Sequence, residues 1–268
     1  MTRGAGLPVA AAALAAATLA AIAIGRFPVG LGDLAAIAWS ALTGAAHGRD
    51  PAIETVILSV RGPRVLAAVL VGAALASAGA AYQALFRNPL VSPDILGVSA
   101  GAAVGAALGI LLERDLVTIQ LLAFLGGLVA VGAVVGVASA LRGHDPLLLL
   151  VLAGIAVGAL FGAVVSLIKV VADPYNQLPA ITFWLLGSLA GATASDAASA
   201  LPGIALGLVP LALLSFRIDV MSLGEEEARA LGVEAGRVRL AVILSATVMT
   251  ASAVSLAGTV GWVGLVVP

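Results

Sequence analysis

The stretch LVTIQLLAFLGGLVAVGAVVGVASAL, Leu116 to Leu141, contains no charged residue. A bilayer's hydrocarbon core is about 30 Å thick, and a helix rising about 1.5 Å per residue crosses it in about 20 residues. The stretch is long enough to span. Apolar and polar residues do not alternate along it, so it does not read as a barrel strand.

The same pattern repeats on both sides. Uncharged apolar runs are predicted to form spans at Leu7–Ile24, Val65–Phe86, Ile95–Leu112, Leu147–Ile168 and Ala197–Phe216. A last run begins at Leu240 and reaches Pro268 without a charge. Its glycines, Gly258, Gly261 and Gly264, predict a break near Gly258 into one full span and the start of another. The less apolar segment 174–195, with Asn176, Gln177, Pro179 and Trp184, predicts a short helix near one membrane face. Leu7–Ile24 has two readings. It is a retained span, or it is a secretory leader with Ala21-Ile22-Ala23 as the cleavage site. Its length and its single preceding arginine, Arg3, favour the span.

Composition agrees with this class. Hydrophobic residues make up 62% of the chain, charged residues 10%, and mean hydropathy is +1.17. A soluble domain of this size cannot bury that much apolar surface. The chain reads as an all-α polytopic membrane protein, one transmembrane domain over residues 1–268. Glycine is frequent, with 32 residues. Gly101, Gly105 and Gly109 recur four apart, as do Gly154, Gly158 and Gly162. Each triplet lies on one helix face and predicts close approach of a neighbouring helix.

Several chemistries are excluded. There is no cysteine, so no disulfide, thiolate metal site or cysteine nucleophile exists. The net charge of −1 gives no footprint for nucleic acid. None of the spans read from the sequence holds an Asp, Glu, Lys, Arg or His, and both histidines, His47 and His144, fall in loops. A proton-driven carrier usually keeps such a group near the midplane. Lys169 follows Val-Ser-Leu-Ile rather than a glycine-rich turn, so the chain is not its own ATPase. No catalytic, metal or cofactor site is predicted. What remains is a conduit powered from outside itself.

The charged segment after the sixth span is predicted to hold helices at the membrane surface. Ser222-Leu223-Gly224-Glu225 fits a capping box, with Glu225, Glu226 and Glu227 in the first turn, where the helix dipole favours negative charge. Glu225 and Arg229 stand four apart, and Gly232 supplies a stop after Leu231. A second helix is predicted to begin near Glu234 and to run through Arg237 and Arg239 into the seventh span. The segment 222–239 reads as a docking element for a soluble motor or as a solvated amphipathic linker. Basic residues divide almost evenly between the two faces. The dense cluster from Arg217 to Arg239 favours a cytoplasmic N-terminus.

Taken in order, a set of motifs carries a resemblance. Arg61-Gly-Pro-Arg64 leads into Val71-Gly-Ala-Ala-Leu-Ala76. Gln83-Ala-Leu-Phe-Arg-Asn88-Pro89-Leu90 and Pro93-Asp-Ile-Leu-Gly97-Val-Ser-Ala-Gly101 follow. Then come Leu152-Ala-Gly154-Ile-Ala, Trp184-Leu-Leu-Gly187-Ser188, Leu223-Gly-Glu-Glu-Glu-Ala-Arg-Ala-Leu-Gly232 and Gly258-Thr-Val-Gly261-Trp-Val-Gly264-Leu-Val-Val-Pro268. From about Arg61 onward the sequence resembles the FecCD family of ABC importer permeases, which handle iron–siderophores, haem and vitamin B12.

The resemblance implies a ten-helix inner-membrane subunit, paired with a second permease subunit as a homodimer or heterodimer around a path on the two-fold axis. It implies separate ABC ATPase subunits acting through Leu223, Gly224, Glu225, Glu226, Ala228, Arg229, Leu231 and Gly232. It also implies a periplasmic or lipid-anchored binding protein that meets Arg61 and Arg64. The loop of Asn88, Pro89, Pro93 and Gly97 carries the family motif, and His144, Asp145 and Pro146 correspond to its gate region. Family members usually continue past Pro268 with two more spans, so about eight of ten spans are expected here. A gradient-driven secondary carrier and a truncated, non-transporting membrane protein are the alternatives.

Overall fold

The computed structural model describes residues 6–44, 46, 48–141 and 146–268, with only the backbone described at Glu225. The described residues are helical, without strands. They form two compact units. One is Met1–Val69 with Ala190–Ala197, and the other is Leu70–Leu189 with Ala198–Pro268.

In the first unit, α1 (Gly6–Ala23) buries no residue, and α2 (Leu31–Thr43) buries Ile37. Sequence reading had no element for α2, because Asp33 interrupts its apolar run. Asp33 instead serves the helix start: its carboxylate accepts from the Gly30 N–H at 2.9 Å and pairs with Arg49 at 3.0 Å. A short α3 (Pro51–Thr55), capped by Asp50, passes into a π-helical turn, Val56–Arg61. It continues as α4 (Gly62–Phe86), whose later part belongs to the second unit. Val29, Ile37 and Ile57 form the small core here.

The second unit holds the main core. A 3-10 turn, Pro93–Leu96, precedes α5 (Val98–Leu111). Then come α6 (Leu116–Ala140), α7 (Pro146–Val171), α8 (Gln177–Leu186), α9 (Ala194–Leu213), α10 (Ser215–Met221), α11 (Glu225–Ala230), α12 (Ala235–Ala257) and α13 (Val263–Val266). Asp115 opens α6 by accepting from the Thr118 N–H at 3.4 Å. The Thr118 hydroxyl, with the backbone N–H groups of Thr118, Asp115 and Val117, holds the Asp115 carboxyl below its ordinary range. The cap therefore contributes stability above the ordinary carboxylate range and is lost only as the pH falls through the lowered value.

Among the described residues, six helical stretches are long and apolar enough to cross a membrane: Gly6–Ala23, Pro51–Phe86, Leu116–Ala140, Pro146–Val171, Ala194–Leu213 and Ala235–Ala257. The expected span Ile95–Leu112 is the exception. Gly97 takes a left-handed conformation that ends the 3-10 turn, so the helix proper is Val98–Leu111, too short to span alone. The expected break after the seventh span is present, since α12 stops at Ala257 and Gly258 caps it.

The two glycine triplets behave differently. A Cβ on Gly101 would lie 2.5 Å from the Ala130 Cβ, and one on Gly105 would lie 2.9 Å from the Ala123 backbone nitrogen. Both would also run into carbonyls of α6. The first triplet is the seam between α5 and α6. Gly154 meets the Ile95 backbone, but nothing lies within contact of a Cβ on Gly158 or Gly162. In the second triplet close approach is confined to Gly154, while the Gly158 backbone lies 3.7 Å from a Cβ built on Gly97. Gly105→Leu is expected to destabilise the protein by about 1–3 kcal/mol, since backbone cannot yield as a side chain does. Gly162→Leu is expected to be near neutral. Thermal unfolding in detergent measures both.

Candidate functional site

Two chain breaks set up the surface segment. After α10 the Ser222 hydroxyl donates to the Asp219 carbonyl at 2.6 Å, and the Leu223 N–H donates to the Val220 carbonyl at 3.1 Å. The expected capping box at Ser222 and Glu225 is therefore not formed: the serine is turned back onto the preceding helix. The N-cap of α11 is Gly224, with no side-chain cap. A reciprocal box exists elsewhere, at the start of α9. There the Asp196 carboxylate accepts from the Thr193 N–H at 2.9 Å, and the Asp196 N–H donates to the Thr193 hydroxyl at 3.2 Å.

Gly224 has φ 140° and ψ 159°, a conformation essentially confined to glycine. A Cβ there would also run into the Glu227 carboxylate and come within 3.5 Å of the Arg87 guanidinium. Arg87 ends α4 with a left-handed φ of 51°. Sequence reading missed Arg87 here, since no local signal places it beside residue 224.

Helix α11 ends in a two-bond stop. The Gly232 N–H donates to the Arg229 carbonyl at 3.0 Å and the Val233 N–H to the Ala228 carbonyl at 2.8 Å, with Gly232 left-handed at φ 79°. This geometry closes the helix where the glycine predicted it. Ala228 is fully buried and joins the core with Met221, Val233 and Val238. Leu223 and Leu231, by contrast, are 62% and 63% exposed, and Glu226, Glu227 and Arg229 are exposed beside them. The pairing expected between Glu225 and Arg229 lies outside the described residues, as does the Glu225 side chain. Helix α12 begins after Glu234 and runs through Arg237 and Arg239; Arg237 pairs with Glu234 at 2.8 Å. An open hollow of about 600 Å³ adjoins α11, lined by Arg229, Gly232, Val233 and Arg237 among others.

The motif loop is built mainly from backbone contacts. The Asn88 amide oxygen accepts from the Leu90 N–H at 2.9 Å, closing a turn that exposes Asn88 and Pro89. Pro93 is buried, and Gly264 packs so closely on its ring that a Cβ on Gly264 would lie 2.6 Å from Pro93 Cδ. Gly97 ends the turn, and the Ser99 hydroxyl donates to Asp94. The last motif returns to α4. Gly79 faces Gly264, with Gly264 Cα 3.0 Å from a Cβ on Gly79, and the Gln83 side chain donates to the Leu265 carbonyl at 3.0 Å.

The remaining motif residues also meet one another. Gly187, after α8, lies against Gly258, after α12, and the Ser188 N–H donates to the Ala257 carbonyl at 2.7 Å. His144 and Asp145 lie outside the described residues. Pro146 is the first residue of α7 and lines a cavity of about 160 Å³ with Ser139, Leu150 and Arg239. In the first unit, Arg64 is exposed on α4, whereas Arg61 is half-buried. Among the described residues, no group of three or more His, Asp or Glu is placed to hold a metal ion.

The described residues thus form a bundle of long apolar helices that carries one short, exposed surface helix, α11. The model of the FecCD transport family matches residues 13–268, and the chain belongs to that family. It is a multi-pass membrane protein. It is 36% identical over 247 residues to the molybdate import system permease protein MolB of Haemophilus influenzae, covering 92% of this chain and 72% of that one. It is 37% identical over 236 residues to the cobalamin import system permease protein BtuC of Halobacterium salinarum, covering 86% of this chain and 63% of that one. The chain thus spans about two thirds of the length of these curated relatives. A solved structure assigned as an inward-facing metal-chelate type ABC transporter superposes with a TM-score of 0.85 at 33% identity. That match covers 97% of this chain and 78% of the other.

Proposed function

We propose that the chain is the membrane-spanning permease subunit of a binding-protein-dependent ABC importer in the inner membrane, and that it lines the path of an iron–siderophore or related metal chelate or corrinoid. The observation that carries this reading is α11. Its buried Ala228 ties it to the core, while Leu223 and Leu231 stand exposed at its two ends, beside charged residues. Exposed leucines at a polar surface mark a place that a partner covers. The partner is a separate ABC ATPase subunit, whose closure on ATP pushes α11 as a rigid lever against α10 and α12. A second permease subunit completes the path. The names of the cobalamin permease and of the solved metal-chelate transporter support the cargo class, the molybdate permease lies outside it, and the binding protein selects the cargo.

The test is reconstitution in proteoliposomes with an ATPase subunit and a binding protein from the same gene cluster. Uptake of labelled cobalamin or a ferric siderophore is expected to need ATP and binding protein and to survive ionophores. Uptake that needs an ion gradient and ignores ATP would replace this reading with a secondary carrier.

The binding protein docks, by our proposal, through the exposed cation of the Arg61-x-x-Arg64 pair. A guanidinium facing a carboxylate gives strong, salt-sensitive docking. Arg64→Glu is expected to weaken binding-protein affinity roughly tenfold or more at low salt, with a smaller deficit at about 0.5 M salt, where Debye screening is short. Surface plasmon resonance on nanodisc-embedded protein reads this directly. Equal affinity and equal salt dependence in wild type and variant would remove Arg64 from the interface.

A further inference from the structure

The two arginines of the motif are not equivalent. The Arg61 guanidinium is already engaged inside its own unit. Nη1 donates to the Ile22 carbonyl at 2.7 Å and to the Ala23 carbonyl at 3.0 Å, and Nη2 donates to the Phe27 carbonyl at 2.6 Å. These carbonyls belong to the last residues of α1 and the chain just after it. A helix leaves its last four carbonyls without intrahelical partners, and they carry the negative end of the helix dipole. The Ile24 N–H takes the Ala20 carbonyl, but Ile22 and Ala23 are among those left over. Arg61 supplies the donors.

Two further features are built around this contact. Gly25 leaves room for the guanidinium, since a Cβ there would collide with Nη2 and lie 2.7 Å from Cζ. The π-helical turn that ends at Arg61 is closed by the Gly62 N–H donating to the Ile57 carbonyl. A π turn holds one residue more than an α turn, so it offsets the face presented by the residues after it. Arg61, the last residue of that turn, reaches the carbonyls of α1, while Arg64, three residues on, is exposed. Helix α1 buries none of its own residues, so packing gives it little hold.

We infer that Arg61 is a positioning residue that clamps the C-terminal end of α1 to the start of α4, and that Arg64 alone presents charge to the acidic partner. The second half of this rests on the docking reading above, and the first half does not.

Phenylglyoxal, which modifies accessible guanidinium groups, tests the clamp without any partner. Mass spectrometry of detergent-solubilised wild type is expected to show Arg64 modified at least tenfold faster than Arg61. In Gly25→Ala, which keeps the arginine but fills its seat, Arg61 is expected to react at a rate approaching that of Arg64. Equal rates for the two residues in wild type would overturn the clamp, whether or not the glycine variant folds. The division of roles is read separately. Arg64→Gln is expected to flatten the salt dependence of binding-protein affinity, and Arg61→Gln to leave its slope unchanged. A slope reduced equally by both substitutions would overturn the division, and one changed by neither would overturn the docking reading while leaving the clamp standing.

Discussion

Gly258→Ala is expected to yield little folded protein, although it adds a single methyl group. Gly258 sits at φ 74° and ψ −164°, in a region that residues with a Cβ rarely enter. The added carbon would lie 2.9 Å from Gly187 Cα and would run into the Trp184 carbonyl. Both obstacles are backbone, held by the Ser188 N–H bond to the Ala257 carbonyl and by the Thr259 hydroxyl on the Leu185 carbonyl. Backbone strain costs about 1–3 kcal/mol and overpacking a similar amount. The sum is a large part of the roughly 5–15 kcal/mol that keeps a typical domain folded. Gly187→Ala is expected to behave in the same way, since Gly187 has φ 71° and faces the Thr259 and Ala257 carbonyls. Gly136→Ala is the control. That glycine lies within α6 with nothing near a prospective Cβ, so the variant should gain about 0.5–1 kcal/mol from helix propensity. Fluorescence-detected gel filtration and thermal melting separate the outcomes. A Gly258→Ala protein as abundant and as stable as the control would mean that the two chain breaks do not lock together.

The long spans were legible because charges bound them and because nothing polar enough to leave the bilayer lies between. The elements that escaped are those where a polar residue works inside an apolar run. Helix α2 is one: Asp33 reads as an interruption but caps the helix through the Gly30 N–H. The capping boxes show a second limit. Thr193-x-x-Asp196 and Ser222-x-x-Glu225 carry similar signals, yet only the first forms. Gly224 decides the second, because its conformation breaks the chain after the serine and leaves the hydroxyl to the preceding helix. Glycine spacing likewise showed which face was smooth but not what lies on it, as Gly105 and Gly162 illustrate.

The sequence names candidate residues for the docking element but not their geometry. The run from Leu223 to Gly232 was found from charge, capping and motif order. Which leucines face outward was not, because a short helix between two turns has too few residues for a periodic pattern. The Arg61 and Arg64 pair read as one docking feature because spacing alone cannot reveal that the Arg61 guanidinium is taken up by carbonyls at the end of α1. Contacts such as Gln83 to the Leu265 carbonyl join positions far apart in the chain, and no local pattern announces them.

Leu223→Asp combined with Leu231→Asp is expected to abolish capture of the ATPase while leaving the membrane domain intact. Both side chains are more than half exposed, so neither substitution opens a cavity in the core. Burying one leucine at an interface is worth about 1.5–3 kcal/mol. Losing two, and placing a carboxylate where each one docked, should cost at least about 3 kcal/mol, roughly a hundredfold in affinity. Co-purification of a tagged ATPase should fall to background while the melting temperature stays within a degree or two of wild type. Glu226→Lys with Glu227→Lys acts on exposed charges, whose pairs are worth about 0–1 kcal/mol each, so it should weaken capture less and mainly alter its salt dependence. Ala228→Asp should lose both capture and stability, because it buries a charge where Ala228 has no exposure at all. The ordering matters more than any single value: the leucine pair must harm docking more than the glutamate pair and harm folding less than Ala228→Asp. Full ATPase capture by the double leucine variant would mean that α11 is a solvated linker, and the docking element would have to be sought elsewhere on the surface.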